Sequence, residues 1–259
     1  MGSNDQELHL REIDEPEPRW AIVIALVAAG ALYMVLAPKL MPGPSWLPMA
    51  CVAALEVPAW IAIANDREES AIIMGHLISA ALTVFLGVSV GLLVKSVLEG
   101  SEPAIDLLRS AIALWAVNII VFASWYWRLD AGGPAERGKL PGHHYGAFYF
   151  PQMSMPDEVR ARTCEKNWRP GFIDYLFLAF NTSTALSPAD TGALTRWAKA
   201  LMMIQAVISL TIIVLLAGRA VNIIPNNTQP KPDDKKKAAQ SVSFAPRAPV
   251  EIKSLTSRA

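Results

Sequence analysis

A cluster of small hydroxyl side chains, Thr182, Ser183, Thr184 and Ser187, lies in a ten-residue stretch, Asn181 to Asp190, between two apolar runs. If the stretch conducts, rings of hydroxyls from Thr182 and Thr184 are oxygens that could line a cation path. Pro188 interrupts the stretch, which ends on the carboxylate of Asp190. Paired carboxylates, a Ser/His constellation, metal-spaced histidines and a phosphate loop are missing from the sequence, so an enzyme is not expected and no cofactor is implied. The adjacent His143 and His144, with a distant Cys164, lack a zinc ligand spacing, and no metal is expected.

The flanking runs say where such oxygens would sit. Phe172 to Phe180 is apolar almost all round but too short to cross about 30 Å of hydrocarbon. A helix of this length can enter a membrane and must turn back. The turn Asn181 to Asp190 then has to line protein or water, because backbone polar groups are not left bare in lipid. After a charged hinge, Arg196 to Lys199, the run Ala200 to Ile224 carries a single charge, Arg219, and reads as a spanning helix. A plainer reading of the same residues is a capped turn between two helices, with Asp190 or Thr191 as the N-cap of the second.

From Phe172 to Ile224 the chain resembles the pore domain of the tetrameric potassium-channel superfamily, in which a re-entrant pore helix and filter precede an inner helix. Placed without gaps on the filter pattern T-x-T-T-V-G-Y-G-D, the chain reads Thr182, Ser183, Thr184, Ala185, Leu186, Ser187, Pro188, Ala189, Asp190. Both glycines and the tyrosine of the pattern are absent. In the following helix the family's Glu, its Gly four residues later and its Arg near the cytoplasmic end correspond to Gln205, Ser209 and Arg219. The resemblance implies a homo-oligomer, by analogy a tetramer, passing monovalent cations. Glycine supplies the positive φ values that aim successive carbonyls at one axis, and Pro188 fixes φ, so a potassium-selective filter is not expected. The expected function is a weakly selective cation channel; the alternative is a non-conducting scaffold or partner-binding subunit that keeps the pore fold.

The rest of the chain fits an all-α integral membrane protein with about five transmembrane helices plus the short re-entrant one. Its 259 residues are 53% hydrophobic and 18% charged with zero net charge, which gives no field for nucleic acid. Residues 1–19 form a polar tail, 20–127 a four-helix transmembrane region, 128–171 a soluble loop, 172–224 the pore-like module and 225–259 a basic, disordered tail. The first span, Trp20 to Ala37, is uncharged and is expected to stay in the membrane as no cleavage motif follows it. The second, Ser45 to Ala64, contains Glu56 and Pro58. Glu56 either faces a proton or cation path or is held inside the bundle. The third, Ala71 to Val94, carries Gly75, Ser79, Thr83, Gly87 and Gly91 at every fourth position, a small-residue face for close helix packing. The fourth, Ala104 to Trp127, ends in a cluster of aromatics expected at the interface, and Asn118 at its middle is expected to hydrogen-bond across helices. The aromatics from Tyr145 to Phe150 are expected to lie on the membrane surface or to cap the bundle. The basic tail and Arg219 place the C-terminus in the cytoplasm of a cell-membrane protein.

Overall fold

The computed structural model describes residues 20–138, 146–156, 158–159, 162, 168–184 and 191–223. Both tails, His143, His144, Cys164 and the filter-like positions Ala185, Leu186, Ser187, Pro188, Ala189 and Asp190 lie outside the described residues.

The spans form where the apolar runs predict, but helix ends follow backbone chemistry rather than polarity. Helix α1 covers Trp20–Tyr33, shorter than expected, and the next three residues tighten into i→i−3 bonds, such as Leu36 N–H to the Tyr33 carbonyl at 3.3 Å. Pro38 disfavours the helical conformation in the residue before it, and Ala37 is accordingly extended, with ψ 140°. Its N–H instead takes the Ser110 hydroxyl at 3.0 Å. Helix α2, Leu47–Ala64, keeps Pro58 inside it, and α3 runs over Glu68–Glu99. Between them Asp66 adopts a left-handed φ of 57°, letting the Arg67 N–H close back on the Ala62 carbonyl at 2.8 Å.

The 32 residues of α3 make it about 48 Å long, against the expected Ala71 to Val94. The apolar limits marked the hydrocarbon, while Lys95, Ser96 and Glu99 continue the helix until Gly100 ends it at φ 62°. Helix α4, Ala104–Leu129, runs into a 3₁₀ turn, Asp130–Gly132, and a short helix α5, Pro134–Gly138. Strand β1, Phe148–Tyr149, leads by a 3₁₀ turn to α6, Phe172–Thr184. Strand β2, Gly192–Ala193, precedes α7, Arg196–Ile223. The expected hinge Arg196 to Lys199 is the first turn of α7, with Thr195 at its N-cap, where its hydroxyl accepts from the Ala198 N–H at 3.4 Å. Neither Asp190 nor Thr191 holds that position. Arg219 falls in the last two turns of α7.

Among the described residues, four helices are long and apolar enough to cross a membrane: α2, α3, α4 with its 3₁₀ extension, and α7. The chain is thus a mostly helical, multi-pass membrane protein. Helix α4 is the hub, packed against α1, α3, α6 and α7. Its apolar window is 56% buried, against 17% for α7. Large apolar side chains such as Val84 and Val207 point outward, as lipid solvation requires. At the end of the bundle away from Asp130, Lys39 pairs with Glu102 at 2.9 Å and tethers the α1–α2 turn to the α3–α4 connection.

The small-residue face of α3 divides in two. Gly75, Ser79 and Thr83 meet α4: Gly75 lies under the Arg128 guanidinium, the Ser79 and Ser124 hydroxyls are 2.9 Å apart, and Trp125 Nε1 donates to Thr83 Oγ1 at 2.9 Å. Gly87 and Gly91 are exposed, with nothing near the place a Cβ would take. Of the aromatics at the end of α4 expected at the interface, Phe122, Tyr126 and Trp127 are buried within the protein. Tyr126 has a partner for its hydroxyl on α7, which removes the cost that would have kept it at the interface.

The backbone at Gly133 is the tightest turn in this region, with φ 90° and ψ 178°, and a Cβ there would lie 2.9 Å from the Arg128 carbonyl oxygen. We expect Gly133→Ala to destabilise the folded protein by about 1–3 kcal/mol, as strained non-glycine backbone does. Gly91→Ala, on the open face of α3, should be neutral or stabilising by up to about 1 kcal/mol. Thermal unfolding of the two variants in detergent distinguishes the effects.

Candidate functional site

Helix α6 is fixed at its outer end by a buried carboxylate. Asp130 is fully buried and accepts hydrogen bonds from the Ala147 N–H and, through Oδ2, from the Tyr175 hydroxyl at 2.6 Å. A buried carboxylate is tolerated only with donors and positive charge nearby. Arg137 supplies the charge, donating through Nη1 to the main-chain carbonyls of Trp127 (2.7 Å) and Asp130 (2.9 Å). Its guanidinium lies 5.7 Å from the Trp127 ring and 5.2 Å from that of Tyr175. Asp174 in the first turn of α6 accepts from the Gly171 N–H at 2.8 Å, in keeping with its place at a helix N-terminus.

Above α6 the aromatic run caps the bundle. The Phe148 ring is edge-on to Tyr126 at 5.1 Å, to Tyr175 at 6.2 Å and to Trp197 at 6.0 Å. Strand β1 pairs antiparallel with β2, Phe148 opposite Ala193 and Tyr149 opposite Gly192, and the Leu194 N–H adds a bond to the Ala147 carbonyl at 2.7 Å. Residues 192–194 therefore stand at the same end of the bundle as Asp130 and the start of α6.

The inner end of α6 is held by side chains from two spans. Gln205 is fully buried on α7; its Nε2 donates to the Ala179 carbonyl (2.7 Å) and to Ser183 Oγ (2.8 Å), and its Oε1 accepts from the Tyr126 hydroxyl at 2.5 Å. One turn on, Ser209 Oγ donates to the Ser183 carbonyl at 2.8 Å and accepts from Trp115 Nε1 at 3.1 Å. That carbonyl belongs to the last turn of α6, where no intrahelical donor exists, so Ser209 caps the helix. Asn118 on α4 completes the cluster, its Nδ2 3.5 Å from Ser183 Oγ and 3.4 Å from the Gln205 carbonyl. Asn118 is about 16 Å along α4 from Leu129, and Gln205 about 14 Å into α7. The tip of α6 thus lies near mid-bundle.

Of the filter-like residues, Thr182, Ser183 and Thr184 are helical rather than part of the expected turn. The hydroxyls of Thr182 and Thr184 bond their own helix, at the carbonyls of Leu178 (2.8 Å) and Phe180 (2.9 Å). Ser183 instead points inward to Gln205 and Asn118. The six positions from Ala185 to Asp190 lie outside the described residues. Gln205 and Ser209, matched by resemblance to inner-helix positions, fall on the side of α7 that holds α6.

No family model, curated protein or solved structure matches this chain. Its function rests on its own geometry.

The sequence reading missed Asp130, Tyr126, Trp115 and Tyr175. Asp130 falls within the expected soluble loop, and Tyr126 within the aromatic cluster expected at the interface. The available signal was chemical: a Tyr or Trp within a span needs a partner for its hydroxyl or N–H, and Gln205 and Ser209 were the polar groups in the facing helix. We expect Gln205→Leu to cost about 2–4 kcal/mol of stability, because it leaves buried partners on α4 and α6 unpaired. Combined with Tyr126→Phe the losses should be less than additive, a double-mutant cycle read by thermal unfolding.

Proposed function

We propose that the chain is a subunit of a homo-oligomeric, weakly selective cation channel whose pore element is α6 together with the residues that follow it. The carrying observation is the course of the backbone: α6 starts beside Asp130, its tip reaches the level of Asn118, and Gly192–Ala193 is again paired at the Asp130 end. A chain that enters and leaves at one face is re-entrant, and α7 then crosses in full past its tip. With α1 as a shorter fifth span, this is the order of elements in the potassium-channel pore module.

The proposal draws on two further features. The C-terminal end of α6 carries the negative pole of the helix, a favourable neighbour for a cation in a low-dielectric setting. One pore element per chain cannot enclose an axis, so several copies must assemble, by analogy four. The sparse burial of α7 and the outward Ile173 and Phe177 of α6 leave apolar faces for neighbouring copies on this side of the bundle. Ser187 and Ala189 in place of the filter glycines, with Pro188 between them, argue for weak discrimination among monovalent cations. The C-terminus faces the cytoplasm in this reading, and the protein acts in the cell membrane without enzymatic activity.

The second reading, a non-conducting scaffold, is favoured by one observation: Thr182 and Thr184 turn their hydroxyls back onto their own helix. Flux of K⁺, Na⁺ and H⁺ through purified protein in liposomes separates the two. As a channel, the native protein should pass K⁺ and Na⁺ at comparable rates, and Pro188→Gly and Thr184→Ala should change those rates. Absence of flux from a folded oligomer would establish the scaffold.

A further inference from the structure

Helix α6 has an outward face that its own bundle leaves bare. Tyr175, Leu178, Ala179 and Ser183 turn inward and are buried, whereas Ile173 and Phe177 are 60% and 61% exposed. The exposed positions continue through Phe180 to Thr184, so that they recur every three or four residues along one side of the helix. Asn181 belongs to this side. At about 100° per residue it lies roughly 200° round the helix from Ala179, whose carbonyl is held by Gln205.

The Asn181 main-chain carbonyl accepts from the Thr184 hydroxyl at 3.5 Å, but its carboxamide makes no hydrogen bond among the described residues. The polar side chains that follow it are committed: Thr182 and Thr184 bond their own helix, and Ser183 accepts from Gln205. A free donor and a free acceptor therefore point out of the bundle at the tip of α6.

Depth makes this costly. Asn181 stands about 14 Å along α6 from Phe172, close to half of a hydrocarbon core about 30 Å thick. An amide placed there loses its hydration and gains nothing from acyl chains, which neither donate nor accept. Lipid is the wrong neighbour for this face. Water fits poorly too, since the amide shares the face with the large apolar side chains of Ile173, Phe177 and Phe180, and the threonine hydroxyls are turned away. A largely apolar helix face with one amide in it suits a helix–helix contact in a membrane, where a single interhelical hydrogen bond selects which faces meet. A carboxamide donates and accepts at once and is its own complement, so a second copy of the chain supplies the partner without any further residue.

We infer that the outward face of α6 is a contact between copies of this chain, in which the Asn181 carboxamides of adjacent subunits hydrogen-bond to each other at mid-membrane. The inference rests on the reading of α6 as the re-entrant element of an oligomer and names the residue that joins the copies. It holds whether or not the assembly conducts.

Disulfide trapping and the mass of the assembly test this in the full-length chain. In a background of Cys51→Ser and Cys164→Ser, Asn181→Cys in liposomes should give disulfide-linked dimers under mild oxidation. Trp60→Cys, an exposed position on α2, which packs against α1 and α3, should give few. By native mass spectrometry Asn181→Leu should raise the dissociation constant between subunits about tenfold, the worth of one hydrogen bond, and Asn181→Gln should recover part of the loss. Thermal unfolding of the Asn181→Leu monomer should be unchanged, and a loss of monomer stability would instead assign the carboxamide to its own fold and overturn the contact. Dimers no more abundant than with Trp60→Cys, or an unchanged dissociation constant in Asn181→Leu, would overturn it as well. So would rapid labelling of Asn181→Cys by a water-soluble thiol reagent, which would place Asn181 on a wet path. Dimers without ion flux would leave the contact standing and remove the channel reading, whereas flux without dimers would do the reverse.

Discussion

The Gln205 carboxamide sets the geometry of the bundle's second half. Within lipid, helices gain nothing hydrophobic by touching one another, so close packing and interhelical hydrogen bonds must choose their partners. Gln205 joins three elements at one point: it receives a bond from Tyr126 on α4 and gives bonds to Ala179 and Ser183 on α6. Ser209 donates to the Ser183 carbonyl in the last turn of α6, a group for which the helix itself supplies no donor. A helix of 13 residues can stop there only because α7 carries donors at the matching height.

The outer end is solved with charge instead of amides. Asp130 joins the end of α4 to β1 and to Tyr175, and Arg137 covers it while reaching back to the α4 main chain. Together the two clusters fix α6 at both ends, one near aqueous solvent and one near mid-bundle. The small two-stranded ribbon and the rings around Phe148 then hold residues 192 and 193 near the start of α6.

Much of this was legible in the residues. Apolar length located the spans, and Asn118 was legible as an interhelical hydrogen-bonding group. Helix ends were less legible: polarity marks where hydrocarbon stops, whereas α3 ends at a left-handed glycine and α1 ends ahead of a proline. The small-residue stripe was visible as a pattern, but not that Gly75 makes room for a guanidinium while Gly91 meets nothing. Asp130 was the least legible, because the sequence pattern of a loop does not say which of its charges will be drawn under an aromatic lid.

The bonds that seat the tip of α6 run in large part from side chains of α7 to main-chain oxygens, those of Ala179 and Ser183. Main-chain acceptors are the same whatever residue carries them. The instructions for holding this helix are thus written chiefly in α7, and the positions after Thr184 are free to diverge without unseating it. Sequence change can accumulate in that stretch while the helix stays seated by contacts encoded elsewhere.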